Sequence, residues 1–94
     1  MLNSAELYKT AYAIHYREIR ISNDNVKTNQ IAYLLYKNVL ENFKKTAEER
    51  YSLSQIENLN NKGINDESIS DDLKLIYNKI IETNGDYLQE LIKQ

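Results

Sequence analysis

The chain has no cysteine, no proline and only two glycines among its 94 residues. Without cysteine it cannot form disulfides or thiolate metal sites, and it cannot use a thiol as a nucleophile. Proline and glycine are the two residues that most disfavour helix interiors, so their scarcity favours helices. The composition therefore predicts a helical protein that does not depend on an oxidising compartment.

Long apolar runs and targeting signals are also missing. The longest apolar run, "IAYLLY" at residues 31–36, has six residues, whereas a membrane-spanning helix needs about 20. The first residues, "MLNSAELYK", lack the basic start and apolar core of a signal peptide. We therefore expect a cytoplasmic protein that does not insert into a membrane.

The charge of the chain is unevenly distributed, with a net value of −2. Residues 1–50 carry eight Lys or Arg against six acidic residues, whereas residues 51–94 carry four Lys against eight acidic residues. Neither half contains the dense basic stripe that neutralises nucleic-acid phosphates. The charge pattern therefore indicates that nucleic acid is not the partner.

Two amphipathic helices are predicted in the first half of the chain. In residues 4–21, Ser4 can act as the N-cap, and apolar residues recur at the spacing of one helix face. The polar sequence "SNDN" at residues 22–25 then ends this helix, because such side chains form hydrogen bonds to their own backbone. Residues 26–50 follow, and their broad apolar face predicts the longest uninterrupted helix.

A short third helix and a broken fourth helix are predicted in the second half. In "SLSQIENLNNKG", Ser52 or Ser54 can cap a short helix that ends near Gly63. The fourth helix begins within "SISDD" and is interrupted or kinked near Asn84–Gly85, since a continuous helix would bury the Asn84 amide. Residues 1–94 are thus predicted to form one all-α domain, an antiparallel four-helix bundle with short connections.

The stretch "NNKGINDESISDDL" at residues 60–73 loosely resembles the centre of a DNA-binding helix-turn-helix. Its would-be recognition helix starts with four acidic residues, Asp66, Glu67, Asp71 and Asp72. Such a helix places its first residues between two rows of DNA phosphates, where these carboxylates would be repelled. No nearby Arg offsets them, so we interpret the acids as complements to a helix dipole.

Sites for metals, cofactors and catalysis are not predicted. The same stretch does not fit a calcium loop, because Asn58 and Ile69 stand where acidic ligands are needed. His15 is the only histidine, and we expect it to be partly buried and structural. The pairs Glu48–Glu49 and Asp71–Asp72 point about 100° apart on a helix, so their carboxylates do not converge. We therefore expect a protein that is not an enzyme and binds no cofactor.

Eight tyrosines are the most informative residues. Tyr8, Tyr12 and Tyr16 stand four apart, and on one helix they would form a ladder along its flank. This ladder has two possible roles. It can form the edge of the core, with the rings packed and the hydroxyls in contact with water, or it can be a strip that binds another protein. Tyr36 and Tyr77, and to a lesser degree Tyr12, are expected in the core.

The stretch "LSQIENLNNKGINDESISDDLKLIYNKI" resembles the pediocin-like bacteriocin immunity proteins in helix order and apolar spacing, over residues 5–82. The resemblance implies a cytosolic antiparallel four-helix bundle that protects the producer cell at the bacteriocin-occupied mannose phosphotransferase, a membrane receptor. The C-terminal part sets specificity in that family. This implies five exposed contact residues in "TNGDYLQELIKQ": Asp86, Tyr87, Gln89, Glu90 and Lys93. The chain departs from the family in lacking a proline near the start of the last helix.

Three hypotheses for function remain open at this point. The first is bacteriocin immunity through a protein partner. The second is a small phage- or plasmid-borne inhibitor of the anti-CRISPR type, whose acidic surface mimics phosphates against a basic groove of a nuclease or effector. The third is a dimeric DNA-binding regulator. A homodimer would also follow if the apolar stripes overfill the core of one chain.

Overall fold

The computed structural model describes residues 1–93, and all regular structure in this range is helical. The predicted all-α class is therefore confirmed. The helices are α1 (Ser4–His15), α2 (Asn25–Asn42), α3 (Ala47–Asn61), α4 (Asp71–Glu82) and α5 (Leu88–Ile92), with a 3₁₀ turn at Asp66–Ser68 before α4.

Capping at both ends of α1 differs from the prediction. Asn3, and not Ser4, is the N-cap: its side chain accepts from the Glu6 N–H at 2.8 Å, and the Glu6 carboxylate accepts from the Asn3 N–H at 3.1 Å. The helix was also expected to continue to the "SNDN" sequence, but it ends at His15. Arg17 adopts the left-handed backbone, with φ 66°, and its guanidinium donates to two carbonyl oxygens of the last turn. These bonds satisfy two of the carbonyls that the helix end leaves free.

The single helix predicted over residues 26–50 is in fact two helices. α2 ends at Asn42 and is the longest helix of the described chain, with 18 residues. A turn that contains Lys45 at φ 64° leads to α3. Thr46 caps α3 by accepting from the Glu49 N–H at 3.1 Å, and the Glu49 carboxylate accepts from the Lys45 N–H at 3.0 Å. The sequence T-x-x-E is a capping-box pattern that competes with continuation of α2.

As a consequence, α3 is not the short helix that was predicted, since it has 15 residues. Ser52 and Ser54, the two alternative caps predicted for it, both lie inside it, and Ser52 is fully buried. On the apolar side of α3, Ile56 and Leu59 are buried, whereas Leu53 is 48% exposed. The earlier start at Thr46 adds more than one helical turn.

The helix ends predicted at Gly63 and at Asn84–Gly85 are confirmed. Gly63 has φ 87°, and the N–H of Ile64 reaches back to the carbonyl of Leu59 at 3.0 Å, which forms a Schellman motif. At the end of α4, Asn84 and Gly85 have φ 52° and 93°, and the Gly85 N–H donates to the last turn of α4. Asn84 is exposed, so its amide faces water and the predicted break costs no buried polar group.

The core is organised around α2, which contacts α1, α3 and α4, while α1 also contacts α3. The apolar faces predicted in residues 4–21 and 26–50 are confirmed by these buried side chains: Leu7, Ala11, Ile14, Ala32, Leu35, Tyr36 and Val39. Leu73 and Ile80 of α4 are also buried. The Cα radius of gyration is 12.1 Å, close to the roughly 12 Å of a compact chain of this length. Within residues 1–93, no helix has the length and apolarity needed to cross a bilayer.

Candidate protein-binding surface

Four neighbouring tyrosines form a surface that we call the tyrosine face: Tyr8, Tyr12, Tyr16 and Tyr51. The ring centroids of Tyr8 and Tyr12 lie 5.9 Å apart, and those of Tyr12 and Tyr16 lie 4.5 Å apart, so the predicted ladder along α1 is confirmed. Tyr12 was also expected to lean towards the core, but it is 38% exposed, beside Tyr16 at 45% and Tyr51 at 51%. The rings therefore stabilise one another at favourable distances and still offer surface to a partner.

Sequence reasoning did not assign Tyr51 to this surface. Its ring lies 5.7 Å from that of Tyr8, but it belongs to α3, and helical spacing reveals only neighbours on the same helix.

Two hydrogen bonds between side chains fix the register of α1 against α3. The Tyr16 hydroxyl donates to Gln55 at 2.9 Å, and the Ser4 hydroxyl donates to Glu48 at 2.8 Å.

An open groove of about 720 Å³ lies beside the tyrosine face. Its lining includes three tyrosine rings, two further apolar residues and two opposite charges, namely Tyr8, Tyr12, Tyr51, Ala13, Ile19, Lys9 and Glu18. Aromatic and aliphatic walls with a few charges are typical of surfaces that bind other molecules. The groove is thus the part of this surface with the shape and chemistry to receive a partner.

Two buried aromatic side chains support the tyrosine face from beneath. Tyr36 of α2 is fully buried, and its ring lies 5.8 Å from that of Tyr8. His15 is 5% exposed; its ring lies 4.2 Å from Tyr16 and 5.7 Å from Tyr36. A hydrogen bond of 3.0 Å joins His15 Nδ1 to the Tyr36 hydroxyl. Together with Tyr12, these rings form a closed aromatic circuit, and His15 is buried more fully than expected.

Burial keeps three members of this circuit, His15, Tyr36 and Tyr8, uncharged at neutral pH. Desolvation lowers the pKa of His15 to about 4, and the positive charges of Lys62 and Arg17 add to the effect. Burial raises the pKa of the Tyr36 hydroxyl far above its usual value and also raises the pKa of Tyr8. The imidazole is therefore neutral, and these two hydroxyls are protonated, over the physiological pH range.

The four acidic residues predicted as a second partner-binding group form the acidic segment: Asp66, Glu67, Asp71 and Asp72. The first two lie in the 3₁₀ turn and the other two in the first turn of α4, and all four are exposed. Ser70 caps α4 by accepting from the Leu73 N–H at 3.3 Å. The carboxylates near this helix start complement its dipole, as predicted.

One carboxylate of the acidic segment has partners that the sequence did not reveal. Asp66 accepts a hydrogen bond from the Tyr33 hydroxyl at 2.8 Å, and one of its oxygens lies 3.7 Å from the Lys37 ammonium. Burial and the nearby Asp66 raise the pKa of Tyr33 to about 12. An exposed ion pair of this kind contributes at most about 1 kcal/mol. In residues 1–93 no cluster of three or more potential ligands could hold a metal ion.

The third predicted group lies at the C-terminal end, around α5. Asp86, Gln89, Glu90 and Lys93 are exposed, as expected. The expectation was wrong for Tyr87, which is half-buried and packs against the core. Its ring lies 5.3 Å from the Lys79 ammonium of α4, a distance suited to a cation–π contact. Tyr87 therefore fastens the chain after the break, because its aromatic ring has apolar surface to bury.

The structure does not bring the three predicted groups together into one site. In the described part of the chain, no hydrogen bond, ion pair or ring contact joins the tyrosine face to the acidic segment or to residues 86–93. No protein-family model matches the sequence, and neither curated proteins nor solved structures give a significant match. The inference about function therefore rests on the physical character of each surface.

Proposed function

We propose that the protein acts by binding another polypeptide at the tyrosine face and not by catalysing a reaction. The observation that carries this proposal is the groove of about 720 Å³ bordered by tyrosine rings that remain half exposed. Tyrosine offers a large apolar ring with few rotatable bonds and a hydroxyl that tolerates water, so it is frequent at binding hot spots.

The partner that fits this groove is a segment with apolar side chains flanked by charges of both signs. Lys9 and Glu18 both line the groove, so a matching acid and base on the partner would pair with them. Charge complementarity of this kind selects the partner and orients it, while the rings supply the buried apolar contact.

The specific activity that we propose is bacteriocin immunity. It is supported by the resemblance of residues 5–82 to the pediocin-like immunity proteins, and the all-α fold agrees with that resemblance. In this proposal α1 to α4 form the family's antiparallel four-helix bundle in the cytosol, and the partner belongs to the mannose phosphotransferase receptor. The exposed Asp86, Gln89, Glu90 and Lys93 would then contribute to specificity.

Protection of sensitive cells tests this activity directly. The full chain is expressed inside cells that are sensitive to pediocin-like bacteriocins, and survival is measured against a panel of these peptides. We expect survival against at least one peptide and co-purification of the receptor subunits when that peptide is present. Full killing by every peptide, with the protein folded and abundant, would exclude bacteriocin immunity but not binding to another polypeptide.

A second candidate function is favoured by the acidic segment. Glu67, Asp71 and Asp72 are exposed and form no ion pair in residues 1–93. Such carboxylates could occupy the basic groove of a nuclease, as an anti-CRISPR inhibitor does. In that case the protein would inhibit the nuclease, and neutralising all three acids would weaken the inhibition. A salt-sensitive shift of duplex DNA by a dimer would instead support the DNA-binding regulator.

A further inference from the structure

His15 is a buried polar side chain that a binding surface does not require. It is the last residue of α1 and lies between the exposed Tyr16 ring and the buried Tyr36 ring, at 4.2 and 5.7 Å. The Tyr36 hydroxyl makes one side-chain hydrogen bond in the described chain, the one to His15 Nδ1. The imidazole thus connects the tyrosine face to the core at the end of α1.

The surroundings of the imidazole suit its neutral form. The titratable groups that face it are two tyrosines, Tyr16 beside it and Tyr36 from α2, and two cations, Arg17 after α1 and Lys62 after α3. No carboxylate pairs with it in residues 1–93.

Arg17 cannot easily move away from the ring. Its guanidinium donates to the backbone carbonyl of His15 itself and to the side-chain oxygens of Asn29 and Asn25, at 3.1 and 3.2 Å. A positive charge is therefore fixed beside the imidazole. The π-face of Tyr16 attracts a cation and would favour a protonated His15. This attraction offsets the repulsion by Arg17 only in part, since burial also removes the hydration of the charged imidazole.

We propose that His15 is a proton-operated switch beneath the tyrosine face, and that taking up one proton releases the C-terminal turn of α1 and thereby disrupts the groove, which Ala13 of that helix lines. The consequence for docking rests on the function proposed above, whereas the release itself does not. Acid would thereby detach the partner before the whole domain unfolds.

The hydrogen bonding of the imidazole explains why protonation would act locally. A protonated ring carries an N–H on both nitrogens, so Nδ1 must donate to the Tyr36 oxygen, and the hydroxyl hydrogen of Tyr36 then needs another acceptor inside the core. Exposing His15 relieves both this conflict and the repulsion by Arg17. Only the end of α1 has to open for this, and a helix terminus opens at a lower cost than the core.

Amide hydrogen exchange of the full chain, followed by NMR between about pH 6.5 and pH 4, tests the switch. Between these pH values His15 binds a proton only when it is exposed. The equilibrium constant for opening of the last turn of α1, at Ile14 and His15, should therefore rise by about tenfold for each unit by which the pH falls. Core amides of α4, such as that of Ile80, share this slope when they exchange by unfolding of the whole domain, since the unfolded chain also exposes His15. Their opening equilibrium constant should nevertheless stay well below that of Ile14 at every pH. Because His15 is the only histidine, the titration of its ring can be followed in the same samples without ambiguity.

The His15→Gln variant provides the matched comparison, since glutamine can bond to the Tyr36 hydroxyl and does not titrate. We expect the pH slope at Ile14 to disappear in this variant. An unchanged slope in the variant, a flat profile in the wild type, or an opening equilibrium constant at Ile14 no larger than that at Ile80 would each overturn the switch. If the variant fails to fold, the wild-type comparison of α1 with α4 decides the question alone. The experiment contains no partner, so it stands whether or not the docking proposal holds.

Discussion

Replacing Leu73 by alanine tests which face of α4 packs on the core. Leu73 is 7% exposed and belongs to the buried cluster, whereas Leu75 on the same helix is 56% exposed. Burial of a leucine side chain contributes about 1.5–3 kcal/mol, and a cavity adds to the loss when the site does not collapse. We therefore expect Leu73→Ala to lower the free energy of unfolding by roughly 2–5 kcal/mol.

The matched control is Leu75→Ala, which removes the same atoms from the exposed face. Its effect should stay within about 0.5 kcal/mol, as for other surface positions. Both variants are compared by urea unfolding followed by circular dichroism, with the midpoint shifting and the slope unchanged. Equal losses at the two positions, or a larger loss at Leu75, would refute the orientation of α4 and the core built on it.

Three further changes probe local features of the fold. Ser52→Ala removes a fully buried hydroxyl that has no hydrogen-bond partner within residues 1–93. Stability should rise by up to about 1 kcal/mol more than for the exposed control Ser54→Ala, which gains only helix propensity. Thr46→Ala deletes the N-cap of α3 and should cost about 1 kcal/mol in thermal or urea unfolding, and no loss would mean that the cap does not determine where α3 begins. The pH dependence of stability follows from the lowered pKa of His15, about 4 against an ordinary 6.5. As the pH falls, the unfolded chain takes up this proton before the folded chain does, so the free energy of unfolding should decrease below about pH 6.5. Below about pH 4 both states are protonated, and His15 should cause no further loss. His15→Gln should remove that part of the loss in acid, and an identical pH profile in the variant would contradict the buried neutral imidazole.

The helical class and most of the core could be predicted from the sequence because both follow from local spacing. Ala32, Leu35 and Val39 recur on one face, and the structure buries all three. Gly63 and Asn84–Gly85 predict helix ends since they tolerate the left-handed backbone that a Schellman motif requires.

Errors arose where two local signals competed. The apolar face continues past Phe43, so periodicity favours one helix to Arg50, but the Thr46 side chain, which accepts from the Glu49 N–H, caps a new one. The end of α1 depends on the Arg17 guanidinium reaching carbonyls and Asn side chains, and helical spacing contains no signal for such bonds.

The candidate site could be predicted only in part. The ladder of Tyr8, Tyr12 and Tyr16 follows from a spacing of four along one helix, whereas Tyr51 joins it through the packing of α1 on α3. The bonds from Tyr33 and Lys37 to Asp66 likewise cross between elements far apart in the chain. Such contacts depend on tertiary packing, which one sequence does not specify by local pattern alone.

The most direct test of binding at the tyrosine face is site-specific photo-crosslinking in the native host cells. A photoreactive phenylalanine replaces Tyr12 in one sample and the exposed Leu75 of α4 in another, and adducts are compared after irradiation. Our account predicts a discrete polypeptide adduct from position 12 and none from position 75. The absence of any adduct at position 12, or the same adducts at both positions, would contradict it.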